Sequence, residues 1–340
     1  MIKNIKVALV GLGNVNQGLL KILHEKEKEI AEKYKLHFKI VAVADSTGLA
    51  VRTRGFDYEV LINHKHNKKK VNELREFIPK PTIDVVNCAN ADLLIEASPV
   101  NLTDGNPGLQ VTRAALKAGW KVVLANKGPL VLAFDELQAL AASHKSKIHY
   151  SATVCGGLPV INVLQRDLKT ASLTNIWGIF NATSNFVLEE MEKGNKMEDA
   201  IKEAQRIGAA ETDPSLDLSG QDTANKLFIL MKSFTDFTGS VSDIKLRGIE
   251  KVSAQQIKEA AEKNLKIKLV AAAHQELGTW SLSVAPTEVA GDSFLGSCNG
   301  WEMGIEVKTD LYESISMKNY EADPTGTSAA VLRDAIDLFG

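Results

Sequence analysis

The chain has 340 residues, 44% of them hydrophobic and 24% charged, with a formal net charge of −2. That length suits two domains, and that balance is globular, which argues against disorder. No run approaches the roughly 20 apolar residues of a bilayer helix, and the near-neutral charge gives no overall field for nucleic acid or anionic lipid.

The N-terminus enters a strand pattern at once, Ile5 to Val10, without the apolar core and cleavage site of a secretory signal, so a cytoplasmic protein is expected. Val15, Leu19, Leu20, Ile22, Leu23 and Ile30 then mark one face of a helix to about residue 33, and Phe38 to Asp45 is an apolar run closed by an acid. The basic stretch His64 to Lys70 reads as a solvated loop and helix start, because Glu73, Arg75 and Glu76 follow and no aromatic residues are interleaved for base stacking. Further strands are expected at Leu93 to Ala97, Val122 to Ala125 and Ile148 to Ala152, with helices at about 108–118 and 133–144. Continuous apolar strands separated by amphipathic helices imply an α/β domain with a doubly wound parallel sheet.

After about residue 155 the strict alternation ends. Helical periodicity at 197–207 and 221–235 and strand patterns near 172–180, 267–273, 280–289 and 303–311 suggest an α+β domain with a mixed sheet, and Thr327 to Phe339 reads as a last helix. No internal repeat or low-complexity linker is present. Cys88, Cys155 and Cys298 are too few and too scattered for a disulfide framework or a four-ligand zinc site, and the histidines are equally dispersed.

Gly11-Leu12-Gly13-Asn14-Val15-Asn16-Gln17-Gly18 lies between the first strand and the first helix. A glycine turn there lets the amides of Gly13, Asn14 and Val15 and the positive end of the helix approach a pyrophosphate. Asn16 stands where the usual fingerprint has its third glycine, a position that serves packing more than phosphate contact. The alternative, a tight turn that binds no nucleotide, is disfavoured because strand, turn, helix and second strand occur in order. Asp45 is placed to accept from an adenosine ribose, favouring NAD, whereas Arg52 and Arg54 suit the 2′-phosphate of NADP, so the choice stays open. Ser98, Asn126 and Lys127 end later parallel strands and face the same crevice in such a topology.

The segment Ala210-Glu211-Thr212-Asp213-Pro214-Ser215-Leu216-Asp217-Leu218-Ser219-Gly220-Gln221-Asp222-Thr223-Ala224-Asn225-Lys226 is the richest in chemistry. Gly208 stops the preceding helix, Pro214 and Gly220 keep the stretch irregular, and the next helix starts near Gln221 or Asp222. Asp222 and Lys226 share a helix face, which alone means only an exposed ion pair. Glu211 and Asp217 just upstream, and the apolar run Leu227 to Met231 just downstream, place the lysine instead at the edge of a core beside a cleft. There it serves to give a proton to a carbonyl oxygen, with the carboxylates holding an ammonium group, which points to a zwitterionic substrate.

This segment resembles the signature of the homoserine dehydrogenase family. So do Ala125-Asn126-Lys127-Gly128-Pro129-Leu130, Ser151-Ala152-Thr153-Val154-Cys155-Gly156-Gly157-Leu158-Pro159, Gly178-Ile179-Phe180-Asn181-Ala182-Thr183-Ser184-Asn185 and the loop Thr103 to Gly108. Together the matches run in order from Gly11 to Lys226. The resemblance implies a Rossmann-type cofactor domain and the reversible reduction of L-aspartate 4-semialdehyde to L-homoserine with NAD or NADP, a step of threonine, methionine and isoleucine biosynthesis. It implies Lys226 as proton donor, Asp222 as its supporting acid and Lys127 as a second cation near the reacting oxygen. Glu211 and Asp217 then hold the substrate amino group and Thr183 lines the pocket. It further implies a structural Na⁺ on the backbone oxygens of Val154, Gly156 and Leu158, although Ser151 stands where many relatives have glutamate.

The same resemblance divides the chain into a dinucleotide-binding domain at 1–130, with 312–340 folding back onto it, a dimerisation segment at 131–155 and about 296–311, and a catalytic domain at 156–295. A homodimer is expected, with no nucleic-acid or membrane partner. Ala209 replaces an aromatic residue of the family pattern, and Glu321 and Asp323 replace glycines of its late segment. Because the sequence ends at Gly340, no appended regulatory domain is expected. Two rival readings are an acylating semialdehyde dehydrogenase with Cys155 as nucleophile and a non-catalytic dinucleotide-binding protein.

Overall fold

In the computed structural model, which describes residues 1–207, 210 and 213–340, the chain divides into two units, Met1–Gly157 with Pro324–Gly340, and Leu158–Asp323. The first unit runs β1 (Lys3–Val10), α1 (Asn14–Tyr34), β2 (Leu36–Asp45), β3 (Gly48–Val51), α2 (Tyr58–His66), β4 (Phe77–Ile78), α3 (Val85–Cys88), β5 (Leu93–Glu96), α4 (Gly108–Lys117), β6 (Lys121–Leu124), α5 (Gly128–Ser143) and β7 (Ile148–His149). Its sheet has the order β4-β3-β2-β1-β5-β6-β7, parallel from β2 to β7 and antiparallel at β3 and β4. This is the Rossmann-type doubly wound sheet with a short antiparallel extension at one edge. The extension escapes the hydrophobic pattern because β3 has four residues and β4 two.

Helix α5 begins at Gly128, before the expected 133, because Ala133 is non-helical (φ −149°, ψ 36°) and the periodicity starts only beyond that kink. The basic stretch at 64–70 matches expectation only in part. Its first residues end α2, with Lys65 in the last turn, where a cation opposes the negative end of the dipole, while Lys70 caps a single 3₁₀ turn at Val71–Glu73.

The second unit contains α6 (Val160–Asn162), β8 (Leu173–Ile179), α7 (Ala182–Glu192), α8 (Met197–Arg206), α9 (Ser215–Leu218), α10 (Gln221–Phe234), β9 (Lys245–Leu246), α11 (Ala254–Ala261), β10 (Leu265–Glu276), β11 (Thr279–Ala290), β12 (Glu302–Thr309) and β13 (Glu313–Tyr320). The mixed sheet runs β13-β12-β8-β10-β11-β9, and α7 and α10 pack against β10. Leu277 and Gly278, both at positive φ (49° and 79°), make the two-residue turn between β10 and β11. Lys268 on β10 is wholly buried and is tolerated there because its Nζ donates to Asn185 Oδ1 at 3.0 Å and to the Cys298 carbonyl at 2.8 Å. The stretch before α10 holds the short helix α9 where irregular chain is expected. Among the described residues, no helix is long and apolar enough to cross a membrane.

Residues 313–320 are the edge strand β13, so the C-terminal segment joins the first unit from Pro324, not from 312. There α12 (Thr325–Phe339) packs on α1, with Val331, Ala335 and Leu338 in one core with Leu19, Leu20 and Leu23. Ser328 Oγ donates to the Val15 carbonyl at 2.9 Å, and Gly18 leaves room for it, since a Cβ there would stand 2.3 Å from that oxygen. Asp334 is 1% exposed and accepts from Ser151 N–H at 2.8 Å and Ser151 Oγ at 2.6 Å, while Arg333 donates to the same Oγ at 2.9 Å. Burial raises the Asp334 carboxyl above its usual range, against the pull of those two bonds. Replacing Asp334 by Ala strands both Ser151 donors, and a loss of roughly 3 kcal/mol is expected in the urea unfolding of the full chain.

Candidate functional site

The turn after β1 is built for close approach of backbone. Gly11 has φ +80°, and a Cβ on it would lie 2.4 Å from the Ala97 carbonyl oxygen, so only glycine lets the turn rest against the chain leaving β5. Gly13 caps α1 with no side-chain hydrogen bond, nothing lies within 4 Å of where its Cβ would be, and the first turn of the helix has no acid. The first bond back to the cap is from Gln17 N–H to the Gly13 carbonyl at 3.0 Å, so the amides of Asn14, Val15 and Asn16 precede it. An open, uncapped helix start of this kind suits an anion such as a pyrophosphate. Asn16, fully buried, ties the turn from beneath, its Nδ2 donating to the carbonyls of Gly11 at 2.6 Å and Val10 at 3.3 Å.

Asp45, at the end of β2, is already engaged. Its Oδ1 accepts from Thr47 N–H at 2.8 Å and Thr47 Oγ1 at 2.5 Å, and its Oδ2 accepts from Val71 N–H at 3.0 Å. Partial burial works against its charge, but those bonds and the Lys65 cation prevail and hold the carboxyl below its ordinary value. Of about four lone-pair sites on a carboxylate, one is left for a ribose hydroxyl. Beside it opens a cleft of about 680 Å³ lined by Ser46, Thr47, Phe77, Lys80, Ile83 and Gln110. Arg52 turns to Glu76 at 3.8 Å. Ser98 and Asn126 come together at the ends of β5 and β6, where Asn126 Nδ2 donates to Ser98 Oγ at 3.3 Å, and Lys127 is the cap of α5.

In the second unit, Gly220 (φ +79°) starts α10 and brings Asp222 and Lys226 onto its first turns. The pair is 2.8 Å apart with side chains only 7% and 13% exposed, which rules out an ordinary surface ion pair. Lys226 Nζ also donates to the Phe180 carbonyl at 2.5 Å, just past the end of β8. Asn181 joins the group without having been singled out from the sequence. Its Nδ2 donates to Asp217 Oδ1 at 2.7 Å and Asp222 Oδ2 at 2.9 Å, while its Oδ1 caps α7 by accepting from Ser184 N–H at 2.8 Å. An asparagine between a strand and a helical run is an N-cap signal, which could have drawn attention to it. Thr183 sits nearly buried in the first turn of α7. Glu211, like Gly208, Ala209 and Thr212, lies outside the described residues.

The arrangement therefore presents a buried ammonium group with a fixed carboxylate partner, next to a second carboxylate. Cys155 offers no comparable nucleophile, being fully buried at φ +55° in a turn. Ser151 is committed to Asp334 and Arg333, so a cation on the oxygens of Val154, Gly156 and Leu158 would gain no negative charge from position 151.

Two family models match the chain: "Homoserine dehydrogenase, NAD binding domain" over residues 11–151 and "Homoserine dehydrogenase" over residues 159–336. The homoserine dehydrogenase of Methanocaldococcus jannaschii is 32% identical over 338 residues, 98% of each chain. The NAD(+)-dependent homoserine dehydrogenase of Pseudomonas canavaninivorans is 34% identical, covering 98% of this chain and 96% of its own. A crystal structure of a putative homoserine dehydrogenase from Archaeoglobus fulgidus superposes with a TM-score of 0.89 at 34% identity over 99% of both chains.

The Asn181 network predicts its own weight. Asn181→Ala leaves two carboxylates short of a donor and α7 without its cap, and should cost about 3 kcal/mol in chemical unfolding. Asn181→Asp, which adds a third carboxylate to the group, should lower stability further, and a thermal melt at neutral pH ranks the two.

Proposed function

The chain belongs to the homoserine dehydrogenase family, and we propose that the lysine and carboxylate group at the start of α10 carries the proton chemistry of the family's reaction. That reaction is the reversible, NAD- or NADP-dependent reduction of L-aspartate 4-semialdehyde to L-homoserine, a step in amino-acid biosynthesis. When bound, the nicotinamide supplies the hydride in one direction and takes it in the other. The amides at the start of α1 and the residues Gly11, Gly13, Asn14 and Val15 would hold its pyrophosphate, Asp45 the adenosine ribose, and Ser98, Asn126 and Lys127 the reducing end.

Lys226 gives a proton to the aldehyde oxygen as the carbonyl carbon is reduced, and takes one from the hydroxyl in the reverse direction. Asp222 keeps that ammonium oriented, and Lys127 adds a second positive charge for the oxygen that becomes an alkoxide. Asp217 and Glu211 bind the α-ammonium group of the substrate, with Thr183 on the pocket wall. The observation that carries this reading is the Lys226–Asp222 pair, a charged group kept nearly dry and held in place by Asp222 and the Phe180 carbonyl. A homodimer through 131–155 and about 296–311 goes with the family assignment, and sedimentation of the purified chain tests it. No step depends on a cation at Val154, Gly156 and Leu158.

Lys226→Ala should lower kcat for L-homoserine oxidation by roughly 10²–10⁴ with little change in cofactor KM, measured by nicotinamide absorbance. A collapse of cofactor affinity with turnover intact would assign Lys226 to the cofactor instead. Cys155→Ala should leave kcat within about twofold, whereas a thioester mechanism requires its loss.

A further inference from the structure

The proton chemistry above leaves one buried acid unused. Glu96, the last residue of β5, is wholly shielded from solvent between Val10 of β1 and Leu124 of β6. Its Oε1 accepts from Ser98 N–H at 2.8 Å, while its Oε2 has no hydrogen-bond partner. That second oxygen faces Gly108, the first residue of α4, where a Cβ would stand 2.9 Å from it and 2.7 Å from Asn126 Nδ2. Asn126 in turn donates to Ser98 Oγ at 3.3 Å and accepts from Gly128 N–H at 2.9 Å. One carboxyl thus stands behind both polar residues assigned to the reducing end of the cofactor, in space that only glycine at 108 leaves open.

We propose that Glu96 is a positioning residue for the cofactor: it holds the Ser98 N–H directly and, while its second oxygen makes no bond, leaves the Asn126 amide on Ser98 Oγ. The proposal rests on the assignment of those two residues to the cofactor. A carboxylate oxygen without a donor in a dry interior is far costlier than a hydroxyl without an acceptor. The groups that face Glu96, from Val10, Leu124 and Gly108 to Ser98 and Asn126, carry no charge. Burial pushes its carboxyl up to about 7, against the pull of Ser98 and Asn126. Ionisation gives Oε2 a strong demand for a donor, and Asn126 Nδ2 is the one within reach, so the amide is drawn off Ser98 Oγ. Cofactor binding therefore weakens as pH rises through the titration of Glu96.

The test is a fluorescence titration of the full chain with reduced dinucleotide, without substrate, from about pH 5.5 to about 8.5. The dissociation constant of the native chain should rise roughly three- to tenfold across that span, whereas Glu96→Gln, a neutral isostere that keeps the acceptor for Ser98 N–H, should hold the low-pH value throughout. Glu96→Ala should bind about tenfold more weakly at every pH. The inference is overturned if Glu96→Gln binds as poorly as Glu96→Ala, if a folded Glu96→Ala binds like the native chain, or if the native profile matches that of Glu96→Gln. Where Glu96→Ala does not fold, the native and Glu96→Gln profiles decide. If Ser98→Ala and Asn126→Ala bind cofactor unchanged, the assignment of those residues fails and the inference with it. Weakening at Ser98 and Asn126 with none at Glu96 counts against the inference alone.

Discussion

A lysine ammonium and an aspartate carboxylate held 2.8 Å apart and nearly out of water constrain everything around them in the second unit. Taking both ions from water costs several kcal/mol each, and their attraction offsets that only when the remaining protons and lone pairs are also matched. Phe180 matches the ammonium with its carbonyl, and Asn181 matches the carboxylate with its amide. Both are consecutive residues at the exit of β8, so the demands of one ion pair fix the end of a strand, the cap of α7 and the first turns of α10 together. In the role proposed for Lys226, a donor oriented in this way would leave little reorganisation for the moment of reaction.

In the first unit, by contrast, polar groups at one helix start are left unmatched. Helix α1 begins without a side-chain cap and without an acid in its first turn, although either would stabilise the helix in isolation. The loss is tolerable because the turn is secured from elsewhere. Asn16 binds its carbonyls from below, and α12 clamps the other side through Ser328 and an apolar seam. A C-terminal helix after a long excursion through another unit is thus part of the support for the glycine turn.

Features governed by local chemistry were legible in the sequence. The glycine turn, the long parallel strands and the amphipathic helices at 108–117 and 197–206 follow from spacing alone. The burial of the Lys226–Asp222 pair was also legible, because the apolar run after it left no exposed face for α10 to turn outward. What stayed hidden is set by partners distant in sequence. Asp45 reads as an open ribose acceptor, yet Val71, 26 residues away, takes one of its oxygens. The edge strand β13 shows polar residues facing solvent alternately with half-buried ones, too weak a contrast to separate it from a returning tail. Asn181 looks like a helix cap and is one, but its second role needs Asp217 and Asp222 to arrive from about forty residues on.

Asparagine recurs where separate segments of the chain must be tied together. Asn16 sits under the glycine turn, Asn126 beside Ser98, Asn181 between two carboxylates, and Asn185 gathers the carbonyls of Cys298, Gly300 and Glu302 while accepting from Lys268. An amide offers donors and acceptors on one flat group and adds no net charge. Aspartate at position 16 would set a carboxylate against two carbonyl oxygens, and serine would be too short to span them. At position 181 an acid would repel the two it now holds. The neutral amides thus tie the chain and position neighbouring groups without adding net charge to the field they act in.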